Sequence, residues 1–221
     1  MDTILDLYDL CHTLAGDYLR GFTYPWEALG GIKALILALG PTLDQKAYAE
    51  VSPQVWVHRT AVVAPTAYLG APCIIGAGTE VRHGAFVRGS ALVGEDCVVG
   101  NSVELKNVIL FDRVQTPHYN YVGDSILGYR AHMGAGSITS NVKSDKTLVV
   151  VRGQGEAIRT GLKKVGAMLG DFVEVGCNSV LNPGTVIGRE SSVYPLSSVR
   201  GAVPARHIVK TGGVIVSKRG E

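Results

Sequence analysis

A chain of 221 residues with 21 basic against 19 acidic side chains carries a formal charge of +2. That is too weak a field to hold nucleic acid or an anionic membrane, so any anionic partner must be bound by a local cluster. Its 28 glycines and 7% aromatic content favour a fold that repeats tight turns over one anchored by a few large rings.

Cys11, Cys73, Cys97 and Cys177 are scattered, signalling neither a disulfide framework nor a zinc site and suiting free thiols in a reducing cytoplasm. Acidic Asp2, Asp6 and Asp9 give the first residues the wrong charge for a signal peptide, and the apolar run from Ala34 to Leu39 is too short to span a bilayer. The expectation is a soluble cytoplasmic protein.

From Asp2 to Leu19, Ile4, Leu7, Tyr8, Cys11, Leu14, Ala15 and Tyr18 recur at helical spacing and predict one amphipathic helix with Asp2 as its N-cap. A second helix is predicted from Pro25 through Trp26, Leu29, Ile32 and Ile36 to Gly40-Pro41, weakened or opened to close packing by Gly30-Gly31. Residues 1–50 are thus a helical segment ending in a polar linker, Asp44 to Ser52.

The pattern then changes. Val57, Val63, Leu69, Ile75, Val81, Val87, Val93, Val99, Leu105 and Phe111 fall every six residues, with Gly next at 70, 76, 94 and 100. Neither a helix nor an open sheet repeats at six, and three such strands per turn predict a mainly β fold, a left-handed parallel β-helix over residues 51–204. The hand comes from precedent among hexapeptide coils and departs from the usual crossover rule.

After Phe111 the next step falls on Pro117, followed by steps of five to Val122 and Leu127 before Met133 restores six. Residues 142–164 carry no hexads and include Lys143, Lys146, Arg152, Arg159, Lys163 and Lys164, a loop of functional length. The repeat resumes at Leu169, Val175, Leu181, Ile187, Val193 and Val199. A tail at 205–221, with Arg206, Lys210, Lys218 and Arg219, either caps the open end or reaches a neighbouring subunit.

Arg88 and Lys106 lie 18 residues apart, one full turn, each just after an inward aliphatic. Their Cα atoms should be about 5 Å apart at one corner. Like charges that close repel unless an anion bridges them or carboxylates relieve them. A bound phosphate satisfies this, as would a solvated pair neutralised by Glu104. His118 follows Pro117 at the break, where its ring should project as a proton acceptor near neutral pH, unless it is an ordinary turn histidine. Glu104, Tyr121, His132 and Asn141 lie on nearby coils and would surround it. Gly134-Ala135-Gly136 could turn a backbone N–H toward a developing oxyanion.

Residues 88 to 141 resemble the acetyltransferase half of the bifunctional N-acetylglucosamine-1-phosphate uridyltransferases. The likeness rests on Arg88, Val103-Glu104-Leu105-Lys106-Asn107, His118, Tyr121-Val122-Gly123-Asp124 and the run Met133 to Asn141, aligned without a gap. It implies acetyl transfer from acetyl-CoA to the amine of an amino-sugar phosphate, in a homotrimer with sites between subunits. By the same likeness His118 would be the general base, and Arg88, Lys106 and Tyr121 would hold the phosphate. Glu104 and Asn141 would contact the sugar, the Ala135 N–H would steady the thioester oxygen, and Lys164 and Cys177 would lie near CoA. His132, Val142 and Pro195 differ from the residues usual at their positions. No segment resembles a nucleotidyl-transfer domain, so no pyrophosphorylase activity is expected. Two other readings stay open: a carbonic anhydrase binding a metal between subunits through His83, His118 and His132, and a non-catalytic scaffold.

Overall fold

A computed structural model of the chain describes residues 1–153 and 155–218. The hexads wind into a parallel β-helix of triangular section, and three faces follow one another along the chain. The first face stacks Val55–His58, Cys73–Ile75 and Ala91–Val93, and continues through Ala167–Leu169, Thr185–Ile187 and Ala202–Val203. The second includes Val98–Asn101, Gln115–His118, His132–Met133 and Glu174–Val175. The third includes Tyr68–Leu69, Phe86–Val87, Ile138–Thr139 and Val180–Leu181. Two longer strands, Glu104–Leu110 and Tyr121–Leu127, bend from the third face onto the first without a break.

The pairing corrects the predicted stepping. Val87 pairs with Leu105, but Val93 pairs with Leu110 and Val99 with Thr116, so the first short step runs from Leu105 to Leu110. The step from Val122 to Leu127 is short as expected. The inward positions are therefore Leu110 and Thr116, and not Phe111 and Pro117. Phe111 is fully buried for another reason, its ring lying 5.1 Å from that of Tyr8. Thr116 is tolerated in the bore because its hydroxyl donates to the Val98 carbonyl at 3.1 Å.

The single helix predicted from Asp2 to Leu19 is broken. Ile4–Leu7, capped by Thr3 instead of Asp2, is followed by one 3-10 turn at Leu10–His12 and a short helix at Gly16–Leu19. The competing bonds go to the coil: the Leu7 and His12 carbonyls accept the backbone N–H groups of Asp171 and Asp112, and the Asp9 N–H donates to Asp171 Oδ2. Cys11 and Leu14, which a continuous helix would bury, are exposed. The second element follows the prediction more closely, as a 3-10 segment Pro25–Gly31 continuing into the helix Ile32–Leu39. Gly31 is the junction, because a Cβ there would collide with the Tyr18 hydroxyl.

This N-terminal segment covers the first face. Ile74, Leu92, Ile109, Ile126, Met168 and Val186 form its outward ladder and are at most 1% exposed, as are Ile4, Leu7, Leu19, Trp26, Ile32 and Ile36. Burying such a side chain stabilises by roughly 1.5–3 kcal/mol, so the ladder and its cover form a second core outside the bore. The predicted polar linker instead contains a strand, Tyr48–Ser52, antiparallel to Val55–His58. The coil runs on past Pro204 through His207–Val209, and Ile215–Ser217 folds back antiparallel on it, so the tail covers the edge of its own chain. Arg219 lies outside the described residues.

Ile109→Ala should lower the free energy of unfolding by about 2–5 kcal/mol in a denaturant titration. Exposed Leu5→Ala should stay within about 0.5 kcal/mol of wild type. Equal small losses at both positions would contradict the second core.

Candidate functional site

The two shortened steps fall on one corner, between the third and first faces. Each drops a residue just after Lys106 or Gly123, and the corner is turned by Asn107 and Asp124 at φ of 55° and 49°, a region small polar residues tolerate. Arg88 and Lys106 stack here as predicted, the Arg88 N–H donating to the Leu105 carbonyl at 2.8 Å. Both cations meet carboxylates. Arg88 Nη1 donates to Glu104 Oε1 at 2.8 Å, and Lys106 Nζ donates to Asp124 Oδ1 and Oδ2 at 2.8 and 3.1 Å.

Asp124 was not among the predicted site residues, yet it organises the corner. Its side chain is 5% exposed and also accepts from the amides of Asn107 and Asn141. Asn141 donates in addition to the Tyr121 hydroxyl at 3.2 Å. Burial pushes the Tyr121 phenol up, with Asp124 and Glu104 adding to the effect, so it stays a neutral hydroxyl at physiological pH. Gly123 is required beneath it: a Cβ there would lie 2.5 Å from the phenol oxygen. The signal that could have revealed Asp124 is its place one turn beyond Asn107, once the dropped residue is assigned to the right corner.

His118 stands at the other edge of the third face, between the second and third faces. It is separated from the corner of Arg88 and Lys106 by the width of the face. Its N–H donates to Asn120 Oδ1 at 3.2 Å, and its carbonyl accepts from Gly136 at 3.0 Å. Buried Asn120 is tied in turn to the Gly134 and Ser137 carbonyls at 2.8 and 3.0 Å, which fixes this edge. The exposed His118 ring makes no hydrogen bond among the described residues.

Ala135 sits one turn on from His118. Its carbonyl accepts from the Asn178 N–H at 2.8 Å, while the N–H of this half-buried residue has no acceptor among the described residues. Exposed Cys177 follows in the same column. A histidine ring, a backbone N–H without an acceptor among the described residues and a cysteine are thus stacked along one edge.

His132 is elsewhere, on the second face, with Nδ1 2.8 Å from Glu174 Oε2. It lines a cavity of about 490 Å³ with Arg113, Gln115 and Arg130. His83 bonds Thr66 at 2.7 Å, and within this one chain the three histidines form no metal-holding group. Among the described residues no group of three or more His, Cys, Asp or Glu is placed to hold a metal.

Lys164 is exposed at the foot of the insertion, bridged to Val142, directly after which the Val165 N–H returns to the Asn141 carbonyl. The insertion is a docked hairpin, Val150–Gly153 with Glu156–Arg159, and Val149 and Val151 are fully buried. Lys33, from the N-terminal helix, was also missed. It lines a cavity of about 290 Å³ with Ala71, Pro72, Arg88, Lys106 and Asn107.

No protein-family profile matches the chain. Over 107 residues it is 36% identical to a bifunctional sugar-1-phosphate nucleotidylyltransferase/acetyltransferase from Sulfurisphaera tokodaii, covering 48% of this chain and 25% of that protein. Over 147 residues it is 35% identical to the bifunctional protein GlmU of a Cyanothece strain, covering 63% of this chain and 29% of that protein. The chain therefore spans between a quarter and a third of the length of these relatives. A solved hexapeptide transferase family protein from Anaplasma phagocytophilum is similar at a TM-score of 0.43 and 16% identity, covering 75% of this chain and 79% of that one. No described helix is long and apolar enough to cross a membrane.

Removing Asp124 would strand Lys106 and leave both asparagine amides short of an acceptor. Asp124→Ala should cost about 3–5 kcal/mol by denaturant titration. Glu104→Gln, at a half-exposed pair, should cost less than about 1 kcal/mol. A reversed order would show that the corner is held by something other than Asp124.

Proposed function

We propose that this chain is an acetyl-CoA-dependent N-acetyltransferase for a phosphorylated or nucleotide-linked amino sugar, with glucosamine 1-phosphate as the reference acceptor. The observation that carries the reading is the third face itself, bounded at one edge by His118 and the Ala135 N–H and at the other by Arg88 and Lys106. The strand between these edges spans on the order of 10 Å, a length that lets one small acceptor reach both. The relative from Sulfurisphaera tokodaii, named as a sugar-1-phosphate nucleotidylyltransferase/acetyltransferase, supports the same class.

In this mechanism the acceptor amine attacks the thioester carbonyl carbon of acetyl-CoA. As the C–N bond forms, His118 takes the amine proton, and the negative charge gathers on the former carbonyl oxygen, where the Ala135 N–H would meet it. The C–S bond then breaks, and the CoA thiolate leaves with the proton returned from His118. The unbonded ring of His118 supports its role, since a ring nitrogen with no partner is open to an amine proton. Tyr121, held neutral, donates to a phosphate or sugar oxygen. Glu104 and Asn141 flank the sugar, and Lys164 and Cys177 border the path of CoA.

A homotrimer belongs to the reading. Its support is that the first face is covered by the chain's own helices, while the third face leaves Tyr68 and Phe86 61% and 44% exposed for a neighbouring copy. A cytoplasmic location follows from dependence on acetyl-CoA.

With acetyl-CoA and a panel of amino-sugar phosphates, the protein should release free CoA thiol. His118→Ala should lower kcat by roughly a hundredfold to ten-thousandfold with acceptor KM little changed. Thiol release at the wild-type rate in the variant would remove His118 from its role. No release with any acceptor would overturn the proposed activity.

A further inference from the structure

The acetyltransferase reading gives Arg88 and Lys106 a phosphate to hold, yet each is already matched by a carboxylate. Arg88 is bonded to Glu104, and Lys106 to Asp124. The two cations and two anions cancel, and a phosphate approaching them would meet a corner with no net charge. Lys33 changes that balance. Among the described residues its side chain makes no ion pair or hydrogen bond, and it lines the same cavity as Arg88 and Lys106. Three cations facing two carboxylates leave one net positive charge.

The placement of Lys33 follows from its neighbours. Ile32 and Ile36 are fully buried, which turns the adjacent Lys33 to the rim of the helix. The segment is also tied to the corner by a polar link: Asn107 Nδ2 donates to the Leu29 carbonyl at 3.2 Å and to Asp124 Oδ1 at 2.9 Å. One amide therefore joins the N-terminal segment to the carboxylate under Lys106. Lys33 thus stands exposed at the cavity, on a helix fixed to the corner, and its ammonium is not consumed by a partner among the described residues.

We propose that Lys33 supplies the third cation of a phosphate subsite at this corner, making the N-terminal segment part of the acceptor site as well as a cover for the first face. The ligand class, a phosphorylated amino sugar, rests on the acetyltransferase reading; the anion site stands on the charge arrangement alone. Lys33 positions the acceptor through its phosphate and takes no part in the chemistry at the amine. Its loss should therefore appear in KM and not in kcat.

The test pairs a binding arm with a kinetic one. Inorganic phosphate is titrated into wild type, Lys33→Ala and Lys33→Arg by calorimetry, with thermal unfolding as a control that exposed Lys33 is not needed for folding. Lys33→Ala should weaken phosphate binding about tenfold, the loss of one charge-assisted contact, and Lys33→Arg should restore most of it. In thiol-release assays, Lys33→Ala should raise KM for glucosamine 1-phosphate by a similar factor, with kcat and the KM for glucosamine unchanged. Equal phosphate affinity in wild type and Lys33→Ala, or no measurable phosphate binding by wild type, overturns the proposal. If phosphate binding falls as expected but no acceptor releases thiol, the anion site stands and the acetyltransferase reading fails.

Discussion

The arrangement of the candidate site depends on one residue missing from each of two successive turns. Where Arg88 is followed by Gly89-Ser90 before the next strand, Lys106 is followed by Asn107 alone and Gly123 by Asp124 alone. Each short corner is turned at a single residue in the left-handed region, which Asn and Asp tolerate better than most. The strands then run through the corner unbroken, and the turning side chains are drawn beneath the cation of the preceding turn. Asp124 is buried by this geometry, and a buried carboxylate must be paired; Lys106, Asn107 and Asn141 pair it.

The same step sets the distance between the parts of the site. Because the residue is lost at the third–first corner, the second–third edge keeps its full complement, and Asn101, His118, Ala135 and Cys177 stack there in register. His118 and the Arg88–Lys106 corner occupy opposite margins of one narrow face. Under the proposed function, a ligand long enough to bridge them would be selected by that width, and a shorter one would reach only one margin. The first face is closed to such a role by its apolar ladder and helical cover, so the free surface of the coil lies on the other two.

Much of this was legible in the sequence. The six-residue period, the one-turn relation of Arg88 to Lys106 and the break near His118 follow from spacing, since a coil interior accepts only small or aliphatic residues at fixed intervals. The place of the break was misread for a definite reason. Phe111 continues the hexad numerically and is fully buried, but against Tyr8 outside the bore, while polar Thr116 occupies the bore by satisfying its hydroxyl internally. Apolarity alone cannot distinguish the two interiors. The helical prediction for residues 2–19 failed because backbone groups of Asp112 and Asp171, remote in sequence, capture the Leu7 and His12 carbonyls. Three-residue apolar runs such as Ala91-Leu92-Val93 and Val108-Ile109-Leu110 did carry a sign of the second core: their middle members point outward and need a cover.

That cover links fold to charge. A hexapeptide coil with a bare first face would expose a continuous aliphatic stripe, and the N-terminal segment removes it from water. The segment lies flat on a straight ladder, so its path is fixed along the coil axis, and Ile32 and Ile36 hold the last helix beside the corner. Asn107 reads both structures at once through a single amide, toward Leu29 on one side and Asp124 on the other. Any displacement of the helices would free one of those two hydrogen bonds and carry Lys33 away from Arg88 and Lys106. Electrostatic balance at the corner is in this way coupled to an apolar interface that makes no contribution to it directly, and the shortened turns are what bring the two within reach.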